Sequence, residues 1–206
     1  MKLDNKGLLV VISGPSGVGK GTVRQALFDR TGHDLAYSVS MTSRPKRVGE
    51  QEGVDYFFVT KEEFEQRIAE GKFLEYTSFV DNYYGTPLDK VNEQLEAGKE
   101  VVLEIEVNGA TQVREKMKNA ILIFIAPPTM DTLKERLHRR GTESEEIIQA
   151  RCLKASKEVN LASQYDYIVV NDTVKNAADK IMAIIRSEHA KTNRCLDEYN
   201  KIIKEK

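Results

Sequence analysis

The sequence has few of the residues that build metal sites and disulfide frameworks. Its two cysteines, Cys152 and Cys195, and its three histidines, His33, His138 and His189, are scattered along 206 residues. None of them falls at a spacing typical of a zinc site or a disulfide scaffold. We therefore expect two reduced thiols, a reducing compartment and a cytoplasmic location.

The sequence also lacks long apolar segments and an excess of either charge. No apolar run approaches the ~20 residues of a membrane-spanning helix, and the charged segment 1–6 does not resemble a signal peptide. The 31 basic and 32 acidic residues give a net charge of −1, whereas nucleic-acid-binding surfaces are basic. We expect no membrane segment, no nucleic-acid partner and one substantial core.

What the sequence does contain is a regular alternation of strand-like and helix-like segments. The predicted core strands are mostly continuous apolar runs, typical of strands covered on both faces, at 8–13, 36–39, 101–107, 121–126 and 167–170. The predicted helices are 20–30, 88–97, 109–117, 130–139, 143–163 and 174–190, followed by a docked or frayed helix within 192–206. This order predicts an α/β fold with a parallel sheet flanked by helices.

Two segments interrupt the alternation and predict additions to this core. Residues 41–87 are rich in tyrosine, glycine and charge, and predict a small inserted lobe. Residues 137–150 predict a mobile lid, in which Thr142 caps the second helix and Glu145 completes a capping box. We expect a core of 1–40, 88–126 and 164–206, a lobe of 41–87, and a lid with its flanking helices at 127–163.

The clearest motif is LLVVISGPSGVGKGT, residues 8–22. An apolar strand runs into a turn in which Gly14, Gly17 and Gly19 let the backbone wrap an anion, while Lys20 adds a positive charge. The helix that follows points its first N–H groups at the same anion. The motif therefore predicts a phosphate-binding P-loop.

The loop departs from the usual P-loop pattern directly after its lysine. That position normally holds Ser or Thr, whose hydroxyl binds Mg²⁺, but here Gly21 comes first and Thr22 follows. Because Mg²⁺ readily keeps several of its waters, we expect it to be held near this loop through water.

Basic and aromatic residues in the inserted lobe predict a second anion site. Arg44, Lys46 and Arg47 surround a proline, and arginine forks match phosphate oxygens; the alternative is a solvated basic loop. The hydroxyls of Tyr83 and Tyr84 could donate to phosphate, or these rings could simply pack within a strand.

Carboxylates suggest a base-recognition site and a metal site. Glu75 could accept two hydrogen bonds from one planar edge. Glu104 and Glu106, at i and i+2, are expected on one face of a strand, placed like the acid that holds Mg²⁺ in P-loop enzymes; the alternative is a solvent-facing pair.

Arginines of the lid suggest a role in stabilising transferred phosphate. Arg136 and Arg140 are four residues apart and predict one helical face, with Arg139 and Arg151 nearby. Such arginines can stabilise the charge of a transferring phosphoryl group. The alternative is a helix with exposed salt bridges.

Nine short motifs in a fixed order carry a family resemblance. They are GPSGVGKGT, VSMTSRPKRVGE, DYFFV, FLEY, NYYGT, LEIEVNGA, IAPPT, RLHRRGTESEEII and IVVND, between about residues 7 and 176. Together they resemble guanylate kinases of the bacterial type. The resemblance implies transfer of the γ-phosphate of ATP to GMP, and a P-loop NTPase core with a GMP-binding lobe and a small lid that close on the substrates.

The resemblance also implies roles for individual residues. It implies ATP binding by Gly14, Pro15, Ser16, Gly17, Val18, Gly19, Lys20, Gly21 and Thr22, with Asn171 near the adenine. It implies GMP binding by Ser40, Arg44, Arg47, Tyr56, Glu75, Tyr84, Gly85, Thr86 and Glu104. It implies Mg²⁺, brought with ATP, at Glu104 or Glu106, and catalytic roles for Lys20, Arg44, Arg136, Arg140 and Arg151.

Two other functions compete with this interpretation. The chain could phosphorylate another nucleotide, but the N1–H and N2–H₂ donors of guanine complement a carboxylate such as Glu75, whereas N1 of adenine is an acceptor. It could instead be a guanylate-kinase-like binding module of a scaffold protein, but Gly14, Gly19 and Lys20 are all present. The sequence leaves the oligomeric state open, with a homodimer as one outcome.

Overall fold

A parallel five-stranded sheet forms the centre of the computed structural model, which describes residues 6–30, 32–139 and 144–204. Every neighbouring pair in this sheet is parallel. Across the sheet the order is β2 (Leu35–Tyr37), β7 (Glu100–Glu104), β1 (Leu9–Ser13), β8 (Ile121–Ala126) and β9 (Tyr167–Val170). The P-loop strand β1 is therefore central, and its carboxyl end lies beside those of β7 and β8.

Helices cover both faces of the sheet, and the central strand β1 is therefore buried on both faces. Val10 and Ile12 belong to one apolar cluster, whereas Leu9 and Val11 belong to the other, as the alternation of side chains along a strand requires. The helices are α1 (Lys20–Phe28), α3 (Leu88–Glu96), α4 (Val107–Lys116), α5 (Met130–Arg139), α6 (Glu145–Val159), α7 (Val174–Glu188) and α8 (Thr192–Lys204).

A second sheet is inserted between β2 and α3. Its strand order is β4 (Phe57–Phe58), β3 (Met41–Thr42), β6 (Asn82–Pro87) and β5 (Phe73–Phe79), with α2 (Lys61–Ala69) against it. Phe64 of α2 stacks on Phe73 and Tyr83, with ring centroids 4.2 and 5.2 Å apart. The β5–β6 hairpin turns at Val80 and Asp81, which have φ values of 47° and 59°.

The parallel sheet and the strand–helix alternation confirm the α/β prediction. The predicted strand 101–107 is wrong at its end, because β7 stops at Glu104 and α4 begins at Val107 rather than 109. The second strand is Leu35–Tyr37 rather than 36–39. The predicted helix 143–163 is wrong too, since α6 ends at Val159 and a 3₁₀ helix, Asn160–Gln164, follows.

The lid prediction is only partly within the described residues. Thr142, predicted to cap the second lid helix, lies outside them, and the structure has Ser144 at the N-cap of α6. Within 6–30, 32–139 and 144–204, no helix combines the length and apolar character that crossing a bilayer requires.

Candidate active site

The loop between β1 and α1 has the backbone that the P-loop motif predicts. Gly14, Gly17 and Gly19 have φ values of 147°, 89° and 94°, a region that favours glycine. A Cβ at Gly14 would lie 2.3 Å from the carbonyl oxygen of Ile125. Glycine is therefore required here both by conformation and by the close approach of β8.

Lys20 is held over this loop by the loop's own carbonyls. Its Nζ donates hydrogen bonds to the carbonyl oxygens of Gly14, at 2.7 Å, and Pro15, at 3.2 Å. Burial lowers the pKa of Lys20, and the nearby carboxylate of Glu104 opposes that shift. The ammonium is thus held against the backbone of the loop.

Asn171, predicted to lie near the adenine, and Arg136, predicted to be catalytic, both contact the P-loop at Val18. The carbonyl oxygen of Val18 accepts hydrogen bonds from Asn171 Nδ2, at 2.8 Å, and Arg136 Nη1, at 3.1 Å. Arg136 Nη2 also donates to the carbonyl of Asn171, at 2.9 Å. The buried Oδ1 of Asn171 has no hydrogen-bond partner. Contact between Asn171 and adenine stays a prediction.

An open cavity of about 380 Å³ runs along this side of the P-loop, lined by Gly17, Gly19, Thr22, Arg136 and residues 171–174. A larger cavity, of about 570 Å³, lies at the amino ends of the strands around Leu8 and residues 116–120. The smaller cavity lies at the carboxyl ends of the strands, which is where ligands of parallel α/β sheets bind.

Of the other lid arginines, the structure describes Arg139 and Arg151. Arg151 of α6 lies with Nη1 3.4 Å from the Ser16 hydroxyl of the P-loop. Arg140 lies outside the described residues, so its predicted place beside Arg136 stays a prediction. Arg139 ends α5.

On the inserted sheet, Arg44 lies beside the tyrosines to which the family resemblance gives a role in GMP binding. Its guanidinium lies 5.4 Å from the ring centre of Tyr56, and its pKa is raised, chiefly by Glu50 and to a lesser degree by Tyr84. The Tyr56 and Tyr84 rings are 6.0 Å apart. Tyr83 belongs elsewhere: it packs in the α2 cluster, and its hydroxyl donates to Glu65, as the packing alternative expected.

Glu50, which sequence reasoning missed, organises this cluster. Its two carboxylate oxygens accept hydrogen bonds from the two terminal nitrogens of Arg44, at 2.7 and 3.1 Å. The backbone N–H of Arg47 donates to Glu50 Oε2, at 2.8 Å. A bidentate pair of this kind fixes the arginine fork. The acidic residue six positions after the arginine was the available signal.

Glu75 is a buried carboxylate on β5. It is only 6% exposed, its Oε1 accepts a 2.6 Å hydrogen bond from the Thr86 hydroxyl, and burial raises its pKa despite that bond. A Cβ at Gly109 would lie 2.8 Å from Oε2, so the absence of a side chain there lets this oxygen pack closely against α4. Of the other predicted neighbours, Gly85 pairs with Tyr76 across the hairpin, and the Ser40 carbonyl accepts from Phe57 N–H.

The two candidate metal acids do not lie on one strand face, which corrects the prediction. Glu104 is the last residue of β7, whereas Glu106 is the N-cap of α4. Each is paired with a cation: Glu104 Oε2 accepts from Arg24 Nε at 2.7 Å, and Glu106 Oε2 accepts from Lys154 Nζ at 3.0 Å. They also differ in exposure, with side chains 21% and 67% exposed.

A P-loop at the centre of a parallel sheet, with an inserted sheet that carries an arginine–tyrosine cluster, is the architecture of a P-loop nucleotide-binding protein. The comparisons give the family. A family model described as guanylate kinase matches residues 6–188. The chain belongs to the guanylate kinase family.

Relatives along the full length support this assignment. A guanylate kinase of Onion yellows phytoplasma (strain OY-M) is 57% identical over 206 residues, covering 100% of this chain and 97% of the relative. One from Latilactobacillus sakei subsp. sakei (strain 23K) is 53% identical, covering 98% and 100%. The crystal structure of guanylate kinase from Anaplasma phagocytophilum matches with a TM-score of 0.73 and 34% identity, covering 94% of this chain and 92% of that one.

Proposed function

We propose that this chain transfers the γ-phosphate of ATP to GMP, giving ADP and GDP, between the P-loop and the inserted sheet. On the ATP side, the amides of residues 14–22 and the ammonium of Lys20 bind the phosphates, with Asn171 beside the adenine. Arg136 and Arg151, which already contact loop atoms at Val18 and Ser16, stabilise the charge of the transferring group, together with Arg140.

On the GMP side, the acceptor phosphate binds at the Arg44 cluster and the guanine binds at Glu75. Arg44, Tyr56, Tyr84 and the exposed Arg47 supply N–H and O–H donors to phosphate oxygens. Glu75 accepts from the guanine N1–H and N2–H₂, with Ser40, Gly85 and Thr86 around the base.

The carboxylate of Glu104 fits a hydrated Mg²⁺ better than that of Glu106 does. A Cβ at Gly21 would lie 3.4 Å from Glu104 Oε1, so the missing side chain leaves space between this oxygen and the P-loop helix. Carboxylate oxygen is a donor that Mg²⁺ prefers, and the ion keeps waters. Glu106 is exposed and paired with Lys154. When bound with ATP, Mg²⁺ neutralises charge on the phosphates.

Chemistry in this site needs alignment and charge neutralisation rather than a general base. The phosphate of GMP is an anionic nucleophile near neutral pH, and phosphoryl transfer places charge on oxygens that cations can stabilise. The residues of this chain therefore act by binding, orienting and excluding water. We infer that the lobe, 41–87, and the lid region, 127–163, move toward the core, 1–40, 88–126 and 164–206, when both substrates bind.

The observation that supports GMP as the acceptor is the buried Glu75 carboxylate, which Thr86 fixes through one oxygen and which carries no cationic partner at hydrogen-bond distance among the described residues. The test is a coupled ADP-release assay with ATP, Mg²⁺ and each of GMP, AMP, CMP and UMP. We expect turnover with GMP to exceed the others by orders of magnitude. Equal turnover with AMP would refute guanine selection, and ligand binding without turnover would favour the binding-module alternative.

We also propose a cytoplasmic location and a homodimer. Cys152 and Cys195 are both free thiols, as in a reducing compartment. Helix α8 exposes Leu196, Tyr199, Ile202 and Ile203, an apolar stripe that a second copy of the chain would cover. Light scattering across a concentration series measures the mass, and a monomer at all concentrations would refute the dimer.

A further inference from the structure

Arg24 lies between the P-loop helix and the acid that ends β7, and the proposed mechanism gives it no role. Its Nε donates a 2.7 Å hydrogen bond to Glu104 Oε2, and its guanidinium lies 4.4 Å from the centre of the Tyr37 ring. The Arg24 and Glu104 side chains are only 26% and 21% exposed. Arg24 is therefore held between an anion from β7 and a ring from β2.

Lys20 and Arg24 are one turn apart on the same face of α1, so both cations approach Glu104. In the structure Lys20 and Arg24 nevertheless have different hydrogen-bond partners. Lys20 Nζ binds the carbonyls of Gly14 and Pro15, whereas the Glu104 carboxylate binds Arg24. A Cβ at Gly21, the residue after Lys20, would lie 3.4 Å from Glu104 Oε1, so the Glu104 carboxylate lies beside the first turn of α1.

We propose that Arg24 is a positioning residue that keeps Glu104 from pairing with Lys20. Leaving a partly buried carboxylate without its counter-ion costs free energy, so pairing with another cation becomes favourable. Lys20, whose flexible chain carries a compact charge, is the neighbouring cation on the same helix. A Lys20–Glu104 pair would take the ammonium away from the nucleotide phosphates. This inference rests on the proposed role of Lys20 in binding those phosphates.

The test is a double-mutant cycle on nucleotide binding. ADP binding to the full chain is measured calorimetrically in EDTA, so that the affinity reports phosphate contacts without a metal. We expect Arg24→Met to weaken ADP binding about tenfold, which is the loss of roughly one charge-assisted contact. Glu104→Gln alone should change it less than about twofold, and the double variant should return to the Glu104→Gln value, because no carboxylate is left to capture Lys20.

Two further variants separate charge, geometry and stability. Arg24→Lys should bind ADP with intermediate affinity, because lysine keeps the charge but not the Nε geometry. Arg30→Met is the matched control: Arg30 follows the C-terminal end of α1 and pairs with Asp179 at 2.7 Å, and its loss should leave ADP binding unchanged. Circular dichroism confirms that each variant is folded.

Equal weakening in Arg24→Met and in the double variant would overturn the proposal, and so would wild-type ADP affinity in Arg24→Met. Failure of the underlying mechanism is recognised separately. If Lys20→Met binds ADP as well as the wild type does, then Lys20 has no role in phosphate binding, whatever the cycle gives.

Discussion

The hydroxyl of Thr86 donates a 2.6 Å hydrogen bond to the buried carboxylate of Glu75, joining the two strands of one hairpin at the proposed guanine site. This bond uses one oxygen of Glu75 and orients the other. Because the carboxylate is fixed before any ligand binds, its acceptor geometry is available to select a base.

Replacing Glu75 by glutamine should shift the base preference. Glu75→Gln keeps the shape of the side chain, but it brings an NH₂ donor against a guanine donor. A buried mismatch of this kind costs about 1–3 kcal/mol, which is roughly 5- to 150-fold. We expect kcat/KM for GMP to fall by that factor, while ATP binding is unchanged. Glu65→Gln, an exposed carboxylate of the same lobe, is the control. An unchanged GMP/AMP ratio would move guanine recognition to Ser40 and Thr86.

The raised pKa of Glu75 predicts a pH dependence. Guanine binding needs the ionised carboxylate, so the acid limb of kcat/KM for GMP should lie above the ordinary glutamate value of 4.5. Thr86→Val removes a hydrogen bond that lowers this pKa, and should move the limb to higher pH. A limb that stays in place in Thr86→Val would contradict the assignment.

The same shift has a consequence for stability. A folded-state pKa above the unfolded value means that ionisation of Glu75 destabilises the fold. The stability that its protonated form contributes is present at low pH, and it is lost as pH rises from the unfolded pKa through the folded one. Relative to wild type, Glu75→Gln should therefore gain stability with rising pH, as urea unfolding can measure.

Removing the P-loop ammonium should slow the chemical step. Lys20→Met keeps a long side chain but loses the charge that balances the transferring phosphate, so we expect kcat to fall about 10²-fold or more. The KM for GMP should change little. Lys90→Met, an exposed lysine paired with Glu93, is the control. A Lys20→Met variant with near-normal kcat would contradict the P-loop role.

The β5–β6 turn should be open to stabilisation. Val80 and Asp81 both have positive φ, which costs an L-residue about 1–2 kcal/mol, and turns of this kind prefer Asn-Gly. We expect Val80→Asn and Asp81→Gly each to raise the free energy of unfolding by about 1 kcal/mol. Gly98→Ala, at φ 77°, should lower it by a similar amount. Urea denaturation at neutral pH measures all three.

The core of the fold could be predicted because its signals are local. The run from Leu9 to Ser13, the glycines of the loop and the apolar strand Ile121–Ala126 each define their own structure. The end of β7 was not predictable in this way. Apolar Ile105 and Val107 continue the strand pattern, but Glu106 takes the N-cap position, and the helix that starts there is packed against β5 through Glu75 and Gly109.

The candidate site was predictable residue by residue but not in its pairings. Arg44, Glu75 and Lys20 stand within recognisable motifs. The ion pairs of the two candidate metal acids depend on the tertiary fold: Glu104 accepts from Arg24 and Glu106 accepts from Lys154, each from a distant segment. A charge run in a sequence does not show which charges neutralise each other, so these ion pairs needed the structure.

The central position of β1 also constrains how the chain can fold during synthesis. Leu8, just before β1, contacts Glu100, 92 residues further on, so the buried strand β1 has no sheet partner while the segment between them is being made. The β5–β6 hairpin, by contrast, is complete by Pro87. Non-local parallel pairing is slow and exposes apolar strands. We expect the inserted lobe to form first on the ribosome, while β1 stays unpaired until β7 has been synthesised.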